Sequence, residues 1–300
     1  MTLMHEHVLH QVSCSSGRPD NTCTEQDLVI EELRRFKAAG GDAICDLTPV
    51  GLGRDPEGLR EVSRQSGVKI ISGLGLYLEK DFPEDVRSLS EPKLTDYIVQ
   101  QAEGGVTGIP AGIIGEIASH HEDHGDWRRY RLTAREEEIF GAVAKAQKRT
   151  RLSISTHAST GRAGVAQVQA LLRGGADPQR VIVGHCDAQW HVAVEKDLDY
   201  YCCLLGEGVT LSFDLFGWED LMPDEERCRR VELLAKEGFS DRILLSTDTC
   251  RRSQLHRFGG RGFDYLFYSI IPGLRRAGVS DEEIQRMLVH NPRRMLTTTN

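Results

Sequence analysis

A closed (β/α)8 barrel is the fold this sequence predicts, an α/β architecture forming one domain over residues 1–300. Three observations carry that expectation. A chain of 300 residues suits one such barrel. Short branched apolar runs alternate with longer amphipathic stretches from end to end, as a parallel sheet covered by helices requires. Imidazoles and carboxylates close several of the apolar runs, where a barrel would gather them in one bowl. An open doubly wound sheet is the competing architecture. It lacks support from a dinucleotide fingerprint, because Gly51, Gly53 and Gly58 do not have the three-glycine spacing and no Walker lysine motif occurs.

The elements follow in order. Strands are expected over 2–8, 43–48, 68–74 and 112–117, then over 151–156, 180–185, 208–213 and 242–248, which makes eight. Helical periodicity fills the intervals at 25–39, 56–66, 93–103, 133–148, 164–173, 191–201, 224–236 and 263–277, and short C-terminal helices are expected within 280–297. Thr133 with Glu136 and Ser280 with Glu283 have capping-box spacing, and Thr24 with Asp27 shares the interval. Gly174, like Gly67, follows a predicted helix where a left-handed residue would end it.

Composition narrows the function classes. With 37 Lys and Arg against 45 Asp and Glu the net charge is −8, so no polyanion-binding surface is expected and nucleic acid is set aside. The cluster Arg128, Arg129 and Arg131 is flanked by acidic residues and reads as a solvated loop. No apolar run approaches the roughly 20 residues of a membrane span. The eight cysteines show no paired zinc-type spacing and suit a reducing compartment, and the opening Met-Thr-Leu-Met-His-Glu-His lacks the apolar core of a signal peptide. The expectation is a cytoplasmic protein whose partner is a small-molecule substrate.

The chemistry starts at His5-Glu6-His7. In a strand the two-residue period puts both imidazoles on one face and Glu6 on the other. His157 ends the fifth predicted strand, His185 the sixth and Asp248 the eighth, and Glu116 stands near the end of the fourth. Six such groups converging at one barrel face are hard to explain as packing, since unpaired carboxylates and imidazoles are costly to bury. Four imidazoles and two carboxylates suit two divalent ions about 3.5 Å apart with a bridging hydroxide. Zinc leads, with manganese, cobalt and iron as alternatives. The expected assignment places His5, His7 and Asp248 on one ion, His157 and His185 on the other, and Glu116 across both. The hydroxide would attack the electrophilic carbon or phosphorus, and Asp248 would carry its proton to the leaving group.

The chain resembles the phosphotriesterase-like branch of the amidohydrolase superfamily. The resemblance rests on Met4-His5-Glu6-His7-Val8, the run 112–117 with Glu116, the two strand-end histidines and the run 243–248. Phe258-Gly259-Gly260-Arg261-Gly262-Phe263-Asp264-Tyr265 and Asn291-Pro292-Arg293-Arg294-Met295 extend it over nearly the whole chain. Within that branch the chain is most similar to the phosphotriesterase-related proteins, through the run 70–77 and Asp214-Leu215-Phe216-Gly217. The resemblance implies a binuclear metal centre and hydrolysis of esters, lactones, amides or phosphoesters. Many members bridge their metals with a carbamylated lysine, and Glu116 stands at that position here. Relatives also carry about twenty residues ahead of the first strand, so this barrel is expected to be less fully plugged at its base.

Substrate contacts should come from loops over the bowl. Candidates are Tyr77, His120, Arg162, Trp218, Arg251 and Arg252, with Arg54 as a further anion contact and His121 beside His120. The run 120–130, which also holds His124, reads as a lid. The leading expectation is a lactonase or carboxylic esterase, with hydrolysis of small N-acyl amides close behind. Phosphoester or phosphotriester hydrolysis and a catalytically silent metal-bound binding protein are the alternatives. The resemblance also makes a homodimer plausible.

Overall fold

Eight branched apolar runs form the barrel staves of the computed structural model, which describes residues 1–121, 126–158, 162–188 and 194–298, with the backbone alone for 194–197. They are β1 (Thr2–Glu6), β2 (Ala43–Asp46), β3 (Lys69–Ser72) and β4 (Ile114–Ala118), then β5 (Ile154–His157), β6 (Val181–Gly184), β7 (Thr210–Phe213) and β8 (Ile243–Leu245). Each lies inside or within one residue of its expected run. β1, β2 and β3 pair in parallel, as do β4 to β8 in sequence. Two short extensions, Pro49–Val50 and Gly75–Leu76, prolong the sheet above β2 and β3.

Backbone hydrogen bonds join the remaining edges. Gly112 N–H donates to Ser72 O at 2.9 Å and Leu74 N–H to Ile113 O at 3.0 Å, which joins β3 to β4. Asp248 N–H donates to His5 O at 3.2 Å and His7 N–H to Thr249 O at 3.3 Å, which joins β8 to β1. Glu6 locks that second seam. Its buried carboxylate accepts from Ser246 Oγ (2.8 Å), Thr247 N–H (2.7 Å), Thr247 Oγ1 (2.8 Å) and Thr249 N–H (2.8 Å).

Alternation along the staves sorts the core into two layers. In β6, Val181 and Val183 face the helices while Ile182 faces the barrel interior. That interior is filled by Met4, Cys45, Ile113, Ile182 and Leu244, and Met295 from the last helix, Asn291–Leu296, packs against them. The C-terminal helix therefore plugs the base that the sequence suggested would be poorly filled. Ser153 Oγ (2.5 Å) and Arg180 Nη2 (3.1 Å) both donate to the carbonyl of Met295 and hold it there. Met295→Ala should lose about 2–5 kcal/mol, read as a lower urea midpoint at unchanged slope.

Helix ends depart from expectation in two places. The helix Gln26–Ala38 starts after Glu25 with no side-chain cap, so Thr24 does not form the expected box. Gly174 ends the helix Gly164–Arg173 in right-handed geometry, and Gly175 makes the left-handed turn at φ +84°. The Thr133 and Ser280 boxes both form. All eight cysteines are free thiols. Among the described residues no helix is long and apolar enough to cross a membrane.

Candidate metal centre

The C-terminal ends of the staves deliver the ligating side chains. β1 carries an extra residue between the pairs Leu3–Ile44 and Glu6–Asp46, and this bulge lets Met4 fill the interior while the next residue, His5, also turns inward. β4 carries a similar irregularity between Ile114 and Ile117, beside Glu116. His157 is the last residue of β5. His185 and Asp248 follow β6 and β8 in left-handed backbone, at φ +53° and +44°, a strained geometry for non-glycine residues. Backbone bonds hold both: His185 N–H donates to Asp214 Oδ1 at 3.0 Å, and Asp248 N–H to His5 O.

All six expected ligands meet. The two oxygens of Glu116 divide between two groups of imidazoles. Oε2 lies 2.5 Å from His157 Nδ1 and 3.9 Å from His185 Nε2, whereas Oε1 lies 3.7 Å from His7 Nε2. His5 Nε2 sits 3.3 Å from Oε2. Asp248 Oδ1 approaches His7 Nε2 at 3.3 Å and His5 Nε2 at 3.9 Å. His157 Nδ1 and His185 Nε2 are 2.9 Å apart. Both ring nitrogens of His5 are buried, and among the described residues no hydrogen-bond donor or acceptor other than a carboxylate of the cluster or Asp214 approaches them. A buried cluster of four imidazoles and two carboxylates, with the ring nitrogens turned toward the carboxylates, fits borderline divalent cations.

The outward ring nitrogens have partners that sequence reasoning missed. Asp214, one residue past β7, faces His185 Nδ1 at 2.7 Å through Oδ1 and His5 Nδ1 at 3.1 Å through Oδ2. Asp214 makes a close triple with His5 and His185, but it meets their Nδ1 edges while their Nε2 edges turn to Glu116, so it braces the rings rather than joining the ligand set. Thr48 Oγ1 stands 3.2 Å from His7 Nδ1, and Tyr77 OH 3.4 Å from His157 Nε2. Asp46 fixes the turn after β1 by accepting from Val8 N–H (2.6 Å) and Thr48 N–H (3.1 Å). Asp214 follows its strand directly, as His185 does, and the run Asp214-Leu215-Phe216-Gly217 enters the sequence reading only as a resemblance, without a role.

Charge in the cluster follows from this geometry. Burial opposes the His5 imidazolium, but Asp214 and Glu116 outweigh it and raise its pKa well above the ordinary histidine value. His185 is raised in the same way, with Asp214 overcoming burial. Burial likewise opposes the Glu116 carboxylate, yet His157, His5 and His7 hold it well below the usual range. His121, by contrast, is pushed down to about 3 by burial and by His157 and His185. Raised values mean that His5 and His185 still hold protons where an ordinary histidine has lost them, so a cation must displace those protons. Apparent metal affinity should fall by roughly tenfold per displaced proton for each unit of pH lost below the raised values. Dye-competition titrations between pH 6 and 8 would measure it.

A cavity of about 360 Å³ opens above the cluster. Tyr77 and Trp218 line it, with His121, Lys80 and an apolar wall that includes Leu52, Leu78, Leu215 and Leu221. Five other expected contacts do not line this cavity. Arg54 donates to Gly73 O (2.6 Å) and Ser72 Oγ (3.3 Å), bracing the end of β3. His120 is held by Glu136 at 2.9 Å and stacks on Tyr130. Arg162 is buried with its guanidinium 5.8 Å from the Tyr200 ring. Arg252 pairs with Glu25 at the surface, and Arg251 lies 4.1 Å over Trp218, on the side away from this cavity. Of the expected lid, Trp127–Arg129 forms one 3-10 turn, and His124 lies outside the described residues.

Known proteins share this frame. The phosphotriesterase family model matches residues 1–296. The N-acetyltaurine hydrolase of Dictyostelium discoideum is 35% identical over 286 residues, covering 91% of this chain and 74% of that protein. The phosphotriesterase homology protein of Escherichia coli is 32% identical over 293 residues, covering 97% and 96% of the two chains. The crystal structure of that E. coli protein, with phosphate in its active site, superposes with a TM-score of 0.89 at 31% identity over 99% of this chain and 98% of that one. A mutant of the phosphotriesterase-like lactonase of Deinococcus radiodurans superposes with a TM-score of 0.81 at 29% identity, over 99% and 95%. Barrel, strand-end ligands and relatives agree: the chain belongs to the phosphotriesterase family, as a metal-dependent hydrolase.

Proposed function

We propose that this protein hydrolyses a small carboxylic acyl compound at a binuclear centre held by His5, His7, Asp248, His157 and His185, with Glu116 between the two ions. The observation that carries the proposal is the position of the Glu116 carboxylate between the imidazoles, one oxygen toward His7 and the other toward His157, His185 and His5. A carboxylate needs no carbon dioxide to assemble, so metal loading should be indifferent to bicarbonate. Two divalent ions bound there, zinc foremost, would supply hydroxide near neutral pH and Lewis acidity at the acyl oxygen.

The chain's own residues do the rest. Asp248, ionised among His7, His185 and His5 despite its burial, accepts the proton released by the attacking water and returns it to the leaving atom. Burial raises the Tyr77 phenol, so it stays a neutral donor beside His157. Asp214 holds the His5 and His185 rings against the cluster. The apolar wall excludes water from one side of the acyl group.

N-acyl amides lead the substrate classes, because the 35%-identical relative is an N-acetyltaurine hydrolase. Lactones are the second reading, favoured by the apolar wall and by the lactonase that superposes at 29% identity. Elemental analysis coupled to a pH-indicator screen of N-acyl amides, lactones and phosphoesters tests both. Two ions per chain and turnover of an acyl class support the proposal; less than one ion after remetallation, or two ions without turnover of any class, overturns it. Trp218→Ala should raise KM about tenfold with a smaller change in kcat, since a wall that only binds acts before the chemical step.

A further inference from the structure

Trp218 is a partition. On its far side from the metal cluster lies a second cavity of about 540 Å³, lined by Trp218, Arg251 and Arg261. The Arg251 guanidinium stacks over the indole at 4.1 Å, and that of Arg261 stands 5.3 Å from the Tyr265 ring. Gly217 makes room for Arg261: it sits at φ +85°, and a Cβ there would collide with Arg261 Nε.

Neither cation has an ion-pair partner among the described residues, although Glu219 and Asp220 also line the cavity. Among the described residues neither guanidinium donates a hydrogen bond, and neither has a carboxylate within the 4.0 Å of an ion pair. Arg251 Nε and Arg261 Nε and Nη2 are shut off from solvent without any partner. Asp224, the carboxylate acting most strongly on Arg261, is already committed. Its Oδ1 accepts from Gly217 N–H (2.7 Å) and Arg227 Nη1 (3.1 Å), and its Oδ2 from Tyr265 OH (2.8 Å). Glu219, on the cavity wall, accepts from Asp224 N–H at 3.3 Å. Two half-buried guanidinium groups without acceptors cost free energy that an anion would offset, and planar forks of donors suit an oxyanion.

We propose that Arg251 and Arg261 form an oxyanion subsite that receives the acidic group, sulfonate or carboxylate, of the substrate whose acyl bond lies at the metal centre. The subsite rests on the hydrolase reading for its substrate role, while its affinity for an oxyanion does not.

The test uses the metal-loaded protein with two probes. Inorganic sulfate, titrated calorimetrically, reads the subsite directly. An N-acetylated two-carbon aminosulfonate and the neutral N-acetylated amino alcohol of equal length read its part in turnover. Arg261→Gln should weaken sulfate binding about tenfold or more, and should lower the sulfonate-to-alcohol ratio of kcat/KM by a similar factor. Arg261→Lys should recover part of both, which a damaged fold would not. Equal sulfate affinity in wild type and Arg261→Gln overturns the subsite. Loss of sulfate binding with an unchanged ratio in both Arg251→Gln and Arg261→Gln overturns the substrate role and leaves a site for a free anion. If the wild type turns over neither substrate, the amide reading fails, and the sulfate titration still decides whether the subsite exists.

Discussion

Asp248→Asn should lower kcat by about 10²–10⁴-fold in a protein that still folds. The side chain is isosteric, and the backbone link from Asp248 N–H to His5 O is untouched, so the seam between the last and first staves survives. What is lost is a base. Burial disfavours the Asp248 carboxylate, but His7, His185 and His5 keep its pKa below the usual aspartate value, so near neutrality it is ionised and able to take a proton. An amide cannot do so, and it is also a weaker ligand beside His7. Steady-state kinetics with parallel metal analysis separates the two losses: kcat falling with both ions retained identifies the proton carrier. Activity within a few-fold of wild type would remove Asp248 from the mechanism.

Asp214→Asn should weaken metal binding by about 10–100-fold, and unequally between the two ions. One carboxylate serves two rings, His185 through Oδ1 and His5 through Oδ2, and these rings belong to different ions in the proposed assignment. Asparagine offers one acceptor and one donor, so it can match the N–H of one ring while opposing the N–H of the other. The mismatched ring must turn or change tautomer, which rotates its ligating nitrogen away from the cluster. Titration under limiting metal should show two ions binding as one tight and one weak. Two equally tight ions would mean that Asp214 supports the fold alone.

The strands and the meeting of the six side chains at one barrel face were legible for one shared reason. A parallel barrel writes each stave as a short branched apolar run, and the residue ending that run is placed by the fold whatever its neighbours are. His157 and His185 needed nothing beyond counting to a strand end. The loop residues were not legible, because a long polar side chain takes whichever partner lies within reach, and reach is a property of the folded surface. Arg54 found the carbonyl of Gly73, and Arg252 found Glu25, more than 200 residues away. Asp214 escaped notice because a lone carboxylate after a strand has no spacing signature, and its meaning appears only with two imidazoles facing it. The bulge in β1 was equally hidden, since one extra residue changes no pattern that periodicity can detect. Met295 shows the same limit at the other end, where a helix far along the chain fills the barrel base.

The seam locked by Glu6 bears on the order of assembly. Glu6 and the Ser246 to Thr249 segment that it binds are separated by 240 residues or more, and His5, His7 and Asp248 straddle the same joint. A nascent chain therefore exposes His5 and His7 long before Asp248 leaves the ribosome. Contacts of such long sequence separation form late, because the ring must close before they exist. Once the joint is made, a cation bound as proposed would tie the two ends of the barrel together, and its removal should free the first strand before any other, read as early loss of amide-exchange protection over 2–6.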